Sequence, residues 1–279
     1  MTYRRTFLKV AGIGIAAVAL LGIGAAPASM AGEKECDVDF SLGIASYSFR
    51  EFPTEQALDM TLRAGMDRIT FKSMHLPLDS DKATIKETVA LCEAKGITLY
   101  AGGVITMKTR EEVDQAFEYA KAAGMEMIVG VPYPAVLEYV EEKVKEYDVK
   151  MAIHNHGPGD DYYPSAPGAY EKIKRMDKRM GLCLDIGHTT RIKRDPEQDL
   201  RDCFDRVFDI HVKDVTAAAA EGTTCSMGHG VIDIVSFLET VIDLGYSGTL
   251  SFEYESEKED PLPGMMESIG YVRGILSAR

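Results

Sequence analysis

The sequence predicts one (β/α)8 barrel over residues 37–279, and three observations predict it. Short β-rich runs alternate with amphipathic helical stretches eight times, with no linker or low-complexity break between them. Roughly 240 residues follow position 36, a length that suits one such barrel. Polar and charged residues collect at the ends of the β-rich runs, the face on which barrel enzymes keep their active sites.

Taken in order, the candidate strands are 42–47, 68–71, 98–101, 127–131, 150–154, 181–185, 207–211 and 249–253. Helical patterns lie between them at 55–64, 83–95, 110–123, 135–147, 169–175, 196–204 and 234–244, and a last helix follows at about 264–276. Four helices end alike, at Ala64-Gly65, Lys95-Gly96, Ala123-Gly124 and Leu244-Gly245, where glycine supplies the left-handed residue that closes a helix. An open doubly wound sheet is the competing architecture. It normally has fewer strands, and no GxGxxG follows the first one here.

Residues 1–31 read as an address. Arg4-Arg5 followed by Phe7-Leu8-Lys9, an apolar run over 10–26 and the small-residue pattern Ala26-Pro27-Ala28 make a signal peptide, and the arginine pair resembles a twin-arginine signal. Tyr3 stands where such signals usually carry Ser or Thr. The run is rich in Gly and Ala rather than Leu, which favours cleaved export over a retained membrane anchor. The mature chain is expected to begin near Ser29, or near Gly32 if Ser29-Met30-Ala31 is the cleavage signal, and to work in the periplasm or outside the cell.

Asp and Glu number 44 against 31 Lys and Arg. Removing the three positive charges of residues 1–31 takes the net charge from −13 to −16. Such a body repels phosphate backbones, so nucleic acid is not an expected partner. The five cysteines show no CxxC pair and no regular spacing, which indicates neither a disulfide framework nor a structural zinc site. Cys92 and Cys183 fall in apolar stretches and read as core.

All six histidines, His75, His154, His156, His188, His211 and His229, fall at or beyond candidate strand ends and none inside a candidate helix. A lone histidine there is more often a hydrogen-bonded structural residue than a ligand. Six on one face, beside carboxylates, form a set that suits a divalent ion. The segments 151–157, 181–188 and 207–214 each run apolar and then turn polar, and 249–255 closes the series with Glu253 and Glu255 on one face.

These segments resemble the xylose isomerase-like barrel family of sugar phosphate isomerases and epimerases. The resemblance rests on Asp185-x-x-His188, His211-x-Lys213-Asp214, the stretch 228–233 and Phe252-Glu253, and covers nearly all of the mature chain. It implies one divalent metal ion, Mn, Zn, Co or Mg, with Asp185, His211 and Glu253 among its ligands and His188 on the substrate. The fourth ligand in relatives is commonly a glutamate; His154 stands there in this chain. The family's glutamate acid/base pair is therefore broken, and Glu253 would work with a histidine. His154 on a metal has its lone pair occupied, which leaves His156 or His188 as the free base. Lys213, and less so Lys72 and Arg191, could hold substrate oxygens. Tyr47 and Phe49 could wall a sugar ring, or belong to the core.

The expected activity is a metal-dependent isomerase or epimerase that moves a proton on a small sugar through an enediolate. Export and an acidic surface point to an unphosphorylated sugar or keto-sugar. The alternatives are a lyase or hydratase acting on a keto-sugar or 3-keto-glycoside, an apurinic endonuclease, which the charge opposes, and a sugar-binding barrel without turnover. An oligomer is compatible with all of these.

Overall fold

The computed structural model describes residues 38–279; the signal-peptide assignment lies outside the described residues. Eight parallel strands close into a barrel: β1 (Ser41–Ala45), β2 (Arg68–Phe71), β3 (Thr98–Met107), β4 (Met127–Pro132), β5 (Lys150–His154), β6 (Met180–Asp185), β7 (Val207–Val212) and β10 (Thr249–Phe252). Consecutive barrel strands pair in turn, and β10 returns to pair with β1. A two-stranded ribbon, β8 (Asp214–Val215) with β9 (Thr224–Cys225), rises from the loop after β7.

The helices are α1 (Thr54–Arg63), α2 (Lys82–Ala94), α3 (Arg110–Ala122), α4 (Leu137–Tyr147), α5 (Ala166–Ile173), α6 (Ile186–Arg191), α7 (Pro196–Cys203), α8 (Ile234–Asp243) and α9 (Leu262–Ser277). Their ends follow from local chemistry. Asp81 accepts the Thr84 N–H at the start of α2, and Thr109 with Glu112 forms a reciprocal cap on α3. Gly65, Gly96, Gly124 and Gly245 all have φ near +70°, as the sequence predicts. Among the described residues no helix is long and apolar enough to cross a membrane.

Because helices cover the outside of the barrel and side chains fill its inside, β4 and β6 are buried at every residue. The outer core lies between sheet and helices, with Leu58, Phe117, Ile128, Met151, Leu182, Ile210, Phe237 and Ile269 among its members. The inner core is small: Tyr100, Ala101, Met127, Val129, Ala152 and Cys183. Cys92 and Cys183 are both buried free thiols.

Three expectations are corrected, and one of two alternatives is chosen for Phe49. Strand β3 does not stop at 101 but runs to Met107, with an irregular register against β4 between Gly102 and Ile105; its glycine pair, Gly102-Gly103, disguises the second half. The first strand ends at Ala45, and a 3-10 turn (Ser46–Phe49) carries Tyr47 and Phe49. Phe49 is wholly buried and belongs to the core rather than to a sugar wall. The short helix α6 is not visible as a periodic pattern, and it places His188 inside a helix.

Candidate metal centre

Strand alternation in a closed barrel sends every second side chain inward, and the last inward residues of β5, β6 and β7 are His154, Asp185 and His211. In register, Asp185 lies opposite His211. Glu253 follows β10 directly and completes the group. All four are buried, from 0% exposed at Asp185 to 7% at Glu253.

Their ligand atoms lie within 4.8 Å of one another. Two donors about 2.0–2.2 Å from one ion stand at most roughly 4.4 Å apart, so the cluster is within a few tenths of an ångström of closing on an ion. Individual contacts are tighter: His154 Nε2 to His211 Nδ1 is 3.2 Å, His211 Nδ1 to Glu253 Oε2 is 3.2 Å, and His154 Nε2 to Asp185 Oδ2 is 3.4 Å. Asp185 divides its carboxylate. Oδ1 accepts the His188 N–H at 2.7 Å and caps α6, whereas Oδ2 faces the centre with no directed hydrogen bond. Two imidazoles and two carboxylates, all buried and converging, fit a divalent first-row ion.

Lys213 is the cation inside this group. Its Nζ lies 3.0 Å from Asp185 Oδ2, 2.6 Å from Glu253 Oε2 and 2.5 Å from Glu255 Oε1. Burial opposes its charge, but the three carboxylates outweigh burial and raise its pKa well above the ordinary lysine range. Burial likewise works against the charge of Asp185 and Glu253, and Lys213 beside them holds both well below the usual carboxylate range. Gly187 makes room for the lysine stem, since a Cβ there would meet Lys213 Cγ at 2.4 Å.

His156 and His188 adjoin the cluster. The His154 ring is 4.5 Å from that of His156 and 5.8 Å from that of His188. Burial lowers the pKa of both, so both are neutral at neutral pH. A partner sets the tautomer of His188. His188 Nδ1 faces Arg191 Nη1 at 3.3 Å and accepts from it, which leaves the proton on Nε2. His156 Nδ1 lies 3.3 Å from Asp160 Oδ2 without a directed hydrogen bond, so no partner fixes its tautomer.

The remaining expected residues separate into neighbours and bystanders. Lys72 borders the centre and donates to the Val104 carbonyl at 2.7 Å. Tyr47 is half-buried beneath Lys72 and Arg50. His75 is a structural residue, bonded to Ser46 Oγ and the carbonyls of Phe49 and Phe52. His229 is exposed and paired with Glu267. Four of the six histidines therefore assemble, not six.

Sequence reading missed three supports. Asn155, fully buried, accepts the Asp185 N–H and donates to the Asp185 carbonyl, which locks the end of β6 to β5. Asp214 accepts N–H groups from Val215, Gly228, Gly230 and Ile232, tying down the loop after β9. Below the centre, Asp209 accepts from the Tyr100 hydroxyl, which also bonds Ser251. The run Lys213-Asp214 and the glycines at 228 and 230 were a usable signal for the second; nothing local in the sequence pairs Tyr100 with Asp209.

A family model for the xylose isomerase-like TIM barrel matches residues 58–275. The rhizopine catabolism protein MocC of Rhizobium meliloti is 27% identical over 158 residues, covering 50% of this chain and 47% of that protein. The chain thus spans about half the length of the curated relative it matches. Among solved structures, an uncharacterised protein from Parabacteroides distasonis is 25% identical with a TM-score of 0.68, over 84% of this chain and 98% of that one. The 3-keto-D-glucoside 4-epimerase YcjR from E. coli, in its apo form, superposes with a TM-score of 0.69 at 15% identity, over 84% and 99% of the two chains, and so shares the fold. With the family model covering most of a closed eight-stranded barrel whose strand ends carry this polar cluster, the chain belongs to the xylose isomerase-like TIM barrel family.

Proposed function

We propose that the protein is a divalent-metal-dependent isomerase or epimerase of an unphosphorylated sugar or keto-sugar, held to its metal by His154, Asp185, His211 and Glu253. The observation that carries this reading is the convergence of those four buried donors within 4.8 Å at the mouth of the barrel. Its relatives by fold include an enzyme named for epimerising a 3-keto-glucoside. The ion, when bound, supplies Lewis acidity toward a substrate carbonyl and its neighbouring hydroxyl. The chain's own residues supply the proton chemistry. His156 accepts the proton from the carbon next to the carbonyl, leaving an enediolate, and returns it to the adjacent carbon; epimerisation would instead take the returning proton from a second acid, His188 Nε2–H, on the opposite face. His188 Nε2–H and the Lys213 ammonium donate hydrogen bonds to substrate oxygens as charge develops on them. Glu253 is among the ion's ligands, and its carboxylate is paired with Lys213 at 2.6 Å.

The cations bordering the centre favour a neutral substrate. Lys213 is engaged by three carboxylates and Lys72 by the Val104 carbonyl, while Arg191 is held by His188 and the Ala220 carbonyl through its terminal nitrogens and keeps a buried Nε–H without a partner. An exported protein, as residues 1–31 suggest, would also meet few sugar phosphates. A second reading, elimination of a β-oxygen substituent from a keto-sugar or 3-keto-glycoside, is favoured by His154 standing where relatives commonly hold an acid/base glutamate.

One experiment tests both. Metal-loaded protein is incubated in D2O with keto-sugars, each with and without a phosphate, and the products are weighed by mass spectrometry. An isomer carrying solvent deuterium, formed from the unphosphorylated member, is the expected result, and His156→Asn should slow it about 100-fold or more at unchanged metal content. Loss of water or aglycone selects elimination, and preference for the phosphorylated member overturns the substrate reading.

A further inference from the structure

Two clefts open on the mouth of the barrel, and His188 and Arg191 line both. The first, about 410 Å³, adjoins Lys213 and is otherwise edged by Thr223, Thr224, Glu255 and Ser256. The second, about 540 Å³, lies on the far side of His188 and is lined by His156, Thr106, Tyr133, Asp160, Asp161 and Tyr162. Each falls in the size range of pockets that enclose small ligands.

The second cleft is built rather than incidental. Asp160 Oδ1 accepts the N–H groups of Tyr162 and Tyr163 at 2.7 and 2.9 Å, which fixes the loop between β5 and α5. The buried Tyr163 hydroxyl donates to the Pro132 carbonyl at 2.6 Å and ties that loop to the end of β4. Lys172 holds the Tyr162 carbonyl at 2.6 Å. The result is a half-buried pair of rings, Tyr133 and Tyr162, with centroids 4.4 Å apart and planes inclined at 45°. Among the described residues neither hydroxyl of this pair has a hydrogen-bond partner. A rigid aromatic wall with free hydroxyls offers an apolar face and polar tips together, at little ordering cost. Asp160 and Asp161 add acceptors and repel anions. That combination matches a neutral ring edged with hydroxyl groups.

We propose that this cleft is a subsite for a second, neutral sugar ring joined to the reacting one, so that the substrate is a glycoside of disaccharide size. The inference rests on the proposed sugar reading of the metal centre and extends it: the reacting ring lies over the centre between Lys213 and His156, the other ring stacks against Tyr133 and Tyr162, and His188 stands at the junction.

Binding, not turnover, tests it. Metal-loaded protein is titrated calorimetrically with glucose and with cellobiose, maltose and sucrose. At least one disaccharide should bind at least tenfold more tightly than glucose. Tyr162→Ala should abolish that preference with glucose binding unchanged, and Tyr162→Phe, which keeps the ring face, should retain most of it. Thr106→Trp, which places bulk at the exposed edge of the cleft, should act like Tyr162→Ala and serves if that variant does not fold. Equal affinity for glucose and every disaccharide, or a preference untouched by filling the cleft, overturns the subsite. Isomerase turnover without a disaccharide preference would defeat the subsite and leave the proposed reaction standing. A cleft-dependent preference without turnover would do the reverse.

Discussion

An ammonium group buried among carboxylates leaves uncompensated charge behind when it is removed, and Lys213 is such a group. It is 4% exposed and ion-paired to Asp185, Glu253 and Glu255. Breaking a buried pair from one side costs about 3–5 kcal/mol. Lys213→Met keeps most of the stem and removes the charge, so the metal-free variant is expected to lose stability on that scale in urea unfolding. The same carboxylate oxygens belong to the candidate metal ligands. With the competing ammonium gone, Mn²⁺ or Zn²⁺ should bind at least tenfold more tightly by calorimetry and recover much of the lost stability. A metal-free variant as stable as the parent would show that the lysine is not locked in the centre. Sequence alone placed Lys213 near the chemistry, on the strength of His211-x-Lys213-Asp214. It could not show that the ammonium bridges two ligand carboxylates, because those arrive from β6 and from beyond β10, at 28 and 40 residues' distance in the chain.

At the scale of elements, strand β7 carries both His211 and, one inward position lower, Asp209. Strand positions and most helices were legible because hydrophobic runs and closing glycines are local signals. The second half of β3, helix α6 and the polar floor beneath the centre were not, since each depends on packing against distant strands. Asp209 is the clearest instance: it is wholly buried, with Tyr100 of β3 donating to it at 3.2 Å. Burial pushes its carboxyl up to about 6, against the opposing pull of His211 and the Tyr100 hydroxyl. In the unfolded chain the same group titrates near 3.9. Between those values the native state keeps a proton that the unfolded state has lost, so this group's contribution to stability falls as pH rises from about 4 to about 6. The loss should reach about 3 kcal/mol by pH 7. Asp209→Asn removes the titration. In urea unfolding of chelator-treated protein, the stability difference between parent and variant should therefore shift by that amount across the window and stay flat above it. A difference independent of pH would mean that Asp209 titrates normally.

At the scale of the whole molecule, the candidate ligands come from β5, β6, β7 and the residue after β10, so one ion would fasten half the circumference of the barrel at its mouth. The N-terminal side of the barrel has no share in that link; β1 reaches it only through its pairing with β10. An ion that binds the folded chain and not the unfolded one stabilises it by mass action, about 2.7 kcal/mol at a concentration 100 times Kd. For a barrel of this size, each kcal/mol moves the melting temperature by roughly 2–4 °C. Saturating Mn²⁺ or Zn²⁺ should accordingly raise Tm by roughly 5–10 °C over chelator-treated protein. Asp185→Ala would erase that rise through two losses, a ligand oxygen and the cap on α6 that orients His188. His211→Ala removes a ligand without touching that cap, so it separates the two effects. Both variants should melt at the same temperature with and without metal, and elemental analysis should find them largely metal-free. A full metal-induced shift surviving in His211→Ala would place the ion elsewhere in the fold.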